Sequence, residues 1–133
     1  MTTFLPTPEW LLLDWNHACI AADTLCIQRC GDCGQWRHPP RRLCPGCFSA
    51  QSSYQAVSGR GSVYSFVVSH RSRDLGWQEQ VPYTTLLVEL EEGARVLAAT
   101  SISPDRVSIG QQLNLRITSR SDDFVLLWAD DAS

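Results

Sequence analysis

The chain has 133 residues, 44% hydrophobic and 19% charged, a balance that permits a packed core and excludes global disorder. No apolar run approaches the ~18 residues that cross a bilayer, and Met1–Pro6 lacks the basic and apolar regions of a secretory leader, so a cytoplasmic protein off the membrane is expected. Net charge is −3, all 11 cations are arginine, and seven of them fall in residues 29–73 against the single acid Asp32; this skew fits either a polar surface or a local anion site, and the acidic whole argues against broad nucleic-acid binding.

The first predicted element is a helix in residues 1–22. Thr7 suits the N-cap, Pro8 the first helical position and Glu9 the positive end of the dipole. Residues 10–22 are heavily apolar. One stripe runs through Leu11, Trp15, Ala18, Cys19 and Ala22, while Trp10, Leu13 and Ile20 fall partly outside it. A helix that is apolar on more than one face must bury more than one face. Leu11, Leu12, Trp15 and Ile20 are therefore candidate contacts with a partner or a second copy. The alternative is a helix tucked wholly against its own domain.

Residues 23–50 read as a metal ribbon. A short strand over 25–29 enters Cys30-Gly-Asp-Cys33. Ten residues later comes Cys44-Pro-Gly-Cys47. Two such knuckles are the signature of a tetrahedral thiolate site, because each short turn aims two sulfurs at one ion. Structural zinc is expected, with iron in a rubredoxin-like site as the other metal that accepts this donor set. A closed four-cysteine site leaves no position for water, which argues against a catalytic metal. Cys19 and Cys26 read as small buried apolar residues.

From residue 51 to 133 the pattern is β. Residues 61–70 alternate, with Val63, Ser65 and Val67 on one face and Tyr64, Phe66 and Val68 on the other. Residues 71–82 form a loop. Residues 83–90 and 94–100 make a hairpin around Glu91-Glu92-Gly93. Residues 113–117 and 124–128 are the last two strands. Five strands after a ribbon close most economically as the partly open Greek-key barrel of the OB-fold. The fold class is thus mainly β: N-terminal helix, four-cysteine zinc ribbon, five-stranded barrel. Ser58-Gly59-Arg60-Gly61 reads as a turn or as a nest of backbone amides for an anion. No phosphate-binding Gly-Lys-Ser/Thr loop, His-Glu-x-x-His or Gly-x-Ser-x-Gly occurs, and His17, His38 and His70 are scattered.

The order of motifs resembles one family over residues 9–128. It runs through Asp14-Trp15, Gln28-Arg29-Cys30-Gly31-Asp32-Cys33-Gly34, Pro39-Pro40-Arg41, Cys44-Pro-Gly-Cys47, Ser58 to Phe66, Val81-Pro82-Tyr83 and Val88 to Gly93. The family is that of OB-fold proteins with a rubredoxin-like zinc ribbon, associated with acyl-CoA metabolism. The resemblance implies a non-catalytic accessory subunit. Archaeal members bridge a thiolase to a hydroxymethylglutaryl-CoA synthase, and actinobacterial members pair with a thiolase-like aldolase of sterol side chains. It implies a hetero-oligomer in which a thiolase-like enzyme supplies the catalytic residues and the small protein helps enclose the CoA ester.

On that reading Arg60, His70, Arg71 and Arg73 bracket the first barrel strand and are candidates for the CoA phosphates, with Trp77 over the adenine or the acyl group. The competing class is an OB-fold single-stranded nucleic-acid binder, with Tyr64, Phe66, Arg71 and Trp77 as a stacking platform.

Overall fold

The computed structural model describes residues 10–70, 82–119 and 121–132. Helix α1 (Trp10–Ala22) turns Trp15, Asn16 and Cys19 inward and keeps Leu11, Leu13, Ala18 and Ile20 half-buried. Asp23 ends it in the left-handed region at φ 52, where its N–H and that of Thr24 bond back to the Ile20 and Cys19 carbonyls. The N-cap residues expected at Thr7–Glu9 lie outside the described residues.

The ribbon is a three-stranded antiparallel sheet in the order β2-β1-β3, from β1 (Cys26–Cys30), β2 (Trp36–Arg37) and β3 (Ser52–Ala56). Its third strand comes from beyond a boundary drawn at residue 50. Cys26 to Cys30 pairs in full with Ala56 to Ser52, so β3 supports the first knuckle from the side opposite β2.

The barrel contains β4 (Arg60–Ser69), β5 (Tyr83–Leu90), β6 (Arg95–Thr100), β7 (Gln112–Ser119) and β8 (Val125–Asp131). It closes in the order β4-β5-β6-β8-β7, with β7 returning to β4 and only β6–β8 parallel. The five-stranded OB-type closure removes every open barrel edge. Strand β5 alternates between half-buried and fully buried from Tyr83 to Leu90. Leu86, Val88, Val96, Leu113 and Ala129 are at most 1% exposed. Their cluster is continuous with Trp15, Cys19, Leu25, Cys26 and Ile27. Helix, ribbon base and barrel thus share one core, and at ~25 cal/mol per Å² of buried apolar surface this shared core is the main stabilising term.

Strict alternation fails in β4. A bulge between Val63 and Ser65 leaves Tyr64 without a partner on β5, and pairing resumes at Ser65↔Leu87. One extra residue inverts the faces. Val63 is buried, Phe66 packs on the core opposite buried Leu86, and Val67 stands 63% exposed. Val63 and Val67 therefore point to opposite sides, which corrects the shared face expected from spacing. The last strand also runs three residues beyond its expected end at Trp128. Asp130 is held there by Arg116 Nε at 2.9 Å.

Candidate metal centre and binding surfaces

Cys30 and Cys33 leave the end of β1, and Cys44 and Cys47 sit on the facing turn. Their four sulfurs all lie within 4.8 Å of one another. The Cys30–Cys47 and Cys33–Cys44 Sγ pairs are 3.5 Å apart. A tetrahedron with metal–sulfur bonds of about 2.3 Å has edges of about 3.8 Å, so the cluster fits zinc with little adjustment. Backbone N–H groups of Asp32 and Cys33 each donate to Cys30 Sγ at 3.4 Å, and that of Gly46 donates to Cys44 Sγ at 3.4 Å. The N–H groups of Cys33 and then Asp32 pull the Cys30 pKa down from 9.0 to about 6, which favours the thiolate that a metal needs. The Ser49 hydroxyl bonds the Asp32 carboxylate and ties the two knuckles together. These residues form a closed structural zinc site.

Gln28 is a structural support of the metal ribbon that spacing does not reveal. It is 3% exposed, yet fully satisfied: Nε2 donates to the Arg41 carbonyl at 2.9 Å and to Ser52 Oγ at 3.1 Å, while Oε1 accepts from Arg41 N–H at 2.7 Å. It clamps the loop between the knuckles onto the sheet. Arg29 lies over the Trp36 ring at 4.7 Å and donates to the Gly34 carbonyl at 3.0 Å.

The helix contacts divide. Trp15 is 6% exposed; its indole N–H donates to the Cys26 carbonyl at 2.7 Å and its ring meets His38 at a centroid distance of 4.8 Å. It is committed inside the chain and corrects the expectation of an interface anchor. Ile20 packs on the core, and the Leu11 carbonyl accepts from Tyr54 at 3.3 Å. Leu12 is 41% exposed and remains on the surface. Cys19 and Cys26 are buried free thiols, and burial pushes the Cys19 thiol up to about 11.

The residues assigned to an anion also separate. The turn at Ser58–Gly61 is filled by the protein's own carboxylates. Ser58 N–H donates to Glu92 and its hydroxyl to Glu91, each at 3.0 Å, and Arg60 pairs with Glu91 at 3.2 Å. Of the two expected readings the segment takes the turn, Arg60 has a carboxylate partner, and the glycines serve close packing. A Cβ on Gly61 would stand 2.6 Å from the Glu89 carbonyl oxygen. His70 is exposed at the end of β4. Arg71, Arg73 and Trp77 lie outside the described residues. Of the proposed stacking platform, Tyr64 is capped by Arg95 at 3.8 Å from its ring centre, and Phe66 faces the core.

On the barrel exterior, Thr85, Leu97, Ala99 and Leu126 line a shallow trough of about 240 Å³. Leu97 is 64% exposed and Val67 63%. Among the described residues, no helix is long and apolar enough to cross a membrane.

Comparison with known proteins agrees with this architecture. Residues 21–52 match the ChsH2 rubredoxin-like zinc ribbon domain, and residues 54–118 match the ChsH2 C-terminal OB-fold domain. The chain is 30% identical over 133 residues to a DUF35 domain-containing scaffold protein of Methanocaldococcus jannaschii, covering 94% of this chain and 91% of that one. It is 39% identical over 92 residues to a probable enoyl-CoA hydratase alpha subunit of Thermomonospora curvata, covering 68% of this chain. It is 38% identical over 113 residues to a 3-oxo-4,17-pregnadiene-20-carboxyl-CoA hydratase alpha subunit of Mycobacterium tuberculosis, covering 84% of this chain. The chain spans only 28% and 35% of the lengths of those two subunits. Among solved structures, a chain of the Ltp2-ChsH2(DUF35) aldolase superposes with a TM-score of 0.83 at 31% identity, over 97% of this chain and 100% of that one.

Proposed function

We propose, since the chain belongs to the ChsH2/DUF35 family of zinc-ribbon and OB-fold proteins, that it is a non-catalytic accessory subunit of a thiolase-like enzyme acting on an acyl-CoA. The observation that carries this reading is its full-length likeness to a chain of the two-component Ltp2-ChsH2(DUF35) aldolase. The coenzyme A thioesters in the names of the two hydratase relatives support the substrate class. The zinc site supports it as well, because a closed four-thiolate site builds structure and leaves the chemistry to a partner.

In this reading the outer barrel trough beside Leu97 and the exposed Leu12 on α1 offer apolar surface to the partner. His70 leads into the segment containing Arg71, Arg73 and Trp77, which meets the CoA ester at the edge of that contact. The assembly works in the cytoplasm, where thiols stay reduced. Packing of Phe66 on the core takes one member out of the stacking platform and argues against the nucleic-acid alternative.

The test is reconstitution. The chain is co-expressed with a candidate thiolase-like enzyme, then followed by gel filtration and by acyl-CoA turnover. Co-elution, with turnover by the pair and none by this chain alone, is expected. Separate elution together with tight binding of single-stranded DNA would sink the reading.

A further inference from the structure

The two outer edges of the ribbon sheet differ. At one edge β2 is blunted: it is two residues long and meets Pro39-Pro40 two residues on. At the other edge β3 runs for five residues, Ser52 to Ala56, and pairs with β1. Its register fixes which backbone groups that pairing uses. Val57 N–H donates to the Leu25 carbonyl at 3.1 Å, and the Gln51 carbonyl accepts from Gly31 N–H at 2.7 Å. In an antiparallel ladder positions 51, 53, 55 and 57 therefore bond toward β1, and the N–H and C=O groups of Ser52, Tyr54 and Ala56 face outward. Among the described residues no strand pairs with that outer side. Every residue of β3 except the half-buried Tyr54 is exposed.

Sheet edges are ordinarily protected by charge, proline or a bulge. β3 has none of these. It contains no proline and pairs with β1 without a register shift. No Asp, Glu, Lys or Arg occurs from Leu43 to Gly59, in a chain that is 19% charged. The same stretch holds two exposed apolar side chains ahead of the strand, Leu43 at 54% and Phe48 at 76%. Depletion of charge together with exposed apolar and aromatic side chains is the composition of an interface core.

We propose that the outer edge of β3 docks a second copy of this chain, the two strands pairing antiparallel about a twofold axis at Tyr54. Ser52 then meets Ala56 of the second copy, Tyr54 meets Tyr54, and each pair exchanges both of its bonds, so the free groups of the two edges satisfy one another. A twofold axis brings each side chain near its own counterpart, where a like charge would repel. The neutral strand has no such charge to bring. Ser52, Ser53, Gln55 and Ala56 are small or uncharged and give a foreign peptide little to be selected by. A five-residue strand spans about 17 Å and covers less than the roughly 1,600 Å² of a standard stable interface, so the dimer is weak and forms only as concentration rises. The contact lies on the ribbon sheet, apart from the barrel trough, and does not depend on the accessory role.

The experiment uses the zinc-loaded full chain by itself. Sedimentation velocity follows its mass from micromolar to millimolar concentration, and amide hydrogen exchange is read residue by residue at both ends of that range. A shift from monomer to dimer is expected. The N–H groups of Ser52, Tyr54 and Ala56 should exchange more slowly as the dimer forms, while those of Ser53 and Gln55, bonded to β1 in either state, stay slow throughout. Ala56→Pro removes an outward N–H and no bond to β1. It should weaken association at least about tenfold, because one bond is lost from each copy. A chain that stays monomeric at millimolar concentration overturns the proposal. So does a dimer whose three outward amides still exchange fast, which would put the contact on another face. Full protection of those amides in the dilute monomer overturns it too, and would make a segment of the same chain the occupant. A dimer of undiminished strength in Ala56→Pro counts against it equally. If that variant does not fold, Gln55→Lys takes its place: it sets a charge near its like across the axis and should weaken the dimer in the same way, and an unweakened dimer overturns the proposal.

Discussion

Asn16 on the helix and Val125 at the start of the last strand, 109 positions apart, meet in one buried hydrogen bond: the Val125 N–H donates to Asn16 Oδ1 at 2.8 Å. The amide is held from its other end as well, since Nδ2 donates to the Leu12 carbonyl at 2.7 Å. The bond closes the chain's two ends over the shared core. It also explains a buried amide, 3% exposed, in an otherwise apolar helix face.

Asn16→Leu keeps the branching at Cγ, at a somewhat larger volume, and removes the acceptor. The Val125 N–H is then left buried and unpaired, at a cost of about 1–3 kcal/mol. Urea unfolding at neutral pH measures this. A variant as stable as the parent would show that the N–H finds another partner and that the bond contributes nothing.

Zinc removal should unfold the ribbon and not merely empty it. Sheet β2-β1-β3 has a two-residue outer strand and few apolar side chains of its own, so the metal supplies what packing does not. One equivalent of zinc per chain is expected on metal analysis. Cys44→Ser should give protein with a protease-sensitive segment between residues 30 and 51. A zinc-free chain that keeps dispersed amide signals for Gln28 and Arg41 would contradict this.

The sequence made the ribbon and the barrel hairpin legible for different reasons. Cys30, Cys33, Cys44 and Cys47 announce their chemistry by spacing alone, and β5 and β6 announce theirs by alternation around Gly93. Trp15 misleads because an aromatic on an apolar helix looks the same whether it packs inward or outward. Only the Cys26 carbonyl, brought near by the fold, decides it. The bulge at Tyr64 leaves no mark in composition, since both faces of β4 are apolar. Gln28 is satisfied by Arg41, thirteen positions away and beyond the facing strand, so its role does not follow from local pattern.

Acid should destabilise the protein through His38. Burial pushes its pKa down from 6.5 to about 4. Between those values the unfolded chain binds the proton and the folded chain does not. The contribution of the neutral ring is therefore complete above about pH 6.5 and is lost progressively as pH falls toward 4, on the order of 3 kcal/mol in all. His38→Phe preserves an aromatic ring against Trp15 and removes the titration. Zinc thiolates also take up protons in acid, so the informative quantity is the difference between the two proteins' stabilities at pH 7 and pH 5. Identical acid losses would exclude His38 as a contributor.

Gly59→Ala should be poorly tolerated. Gly59 has a positive φ of 79°, and a Cβ there would stand 2.9 Å from the Leu115 carbonyl oxygen. The Gly59 carbonyl meanwhile accepts from Leu115 N–H at 2.7 Å, so the strands cannot move apart without losing that bond. Strain and clash together should cost about 2–4 kcal/mol. Gly110→Ala is the comparison: its φ is also positive, at 86°, but a Cβ there meets nothing within 4 Å. It isolates the conformational part, about 1–2 kcal/mol. Equal losses at the two sites would remove the close approach to β7 as the cause.

The partner surface is tested most directly at Leu97. Its position on β6 faces away from the core, opposite Leu87 on β5, and it is 64% exposed beside the trough that includes Leu126. Leu97→Glu places a charge in that apolar surface without touching the barrel interior. Stability should change by no more than about 0.5 kcal/mol, as for other exposed sites. If the trough seats the proposed thiolase-like partner, affinity for that partner should fall at least about tenfold, since a charge at the centre of an interface must be desolvated without a counter-ion. Ile109→Ser serves as the control, being equally exposed at 64% but in the loop before β7. Leu12→Glu tests the helix in the same way. Isothermal titration calorimetry on the purified pair reads all three. Full affinity in Leu97→Glu with loss in Leu12→Glu would move the seat of the partner from the barrel trough to the helix, where Leu12 is an exposed apolar side chain.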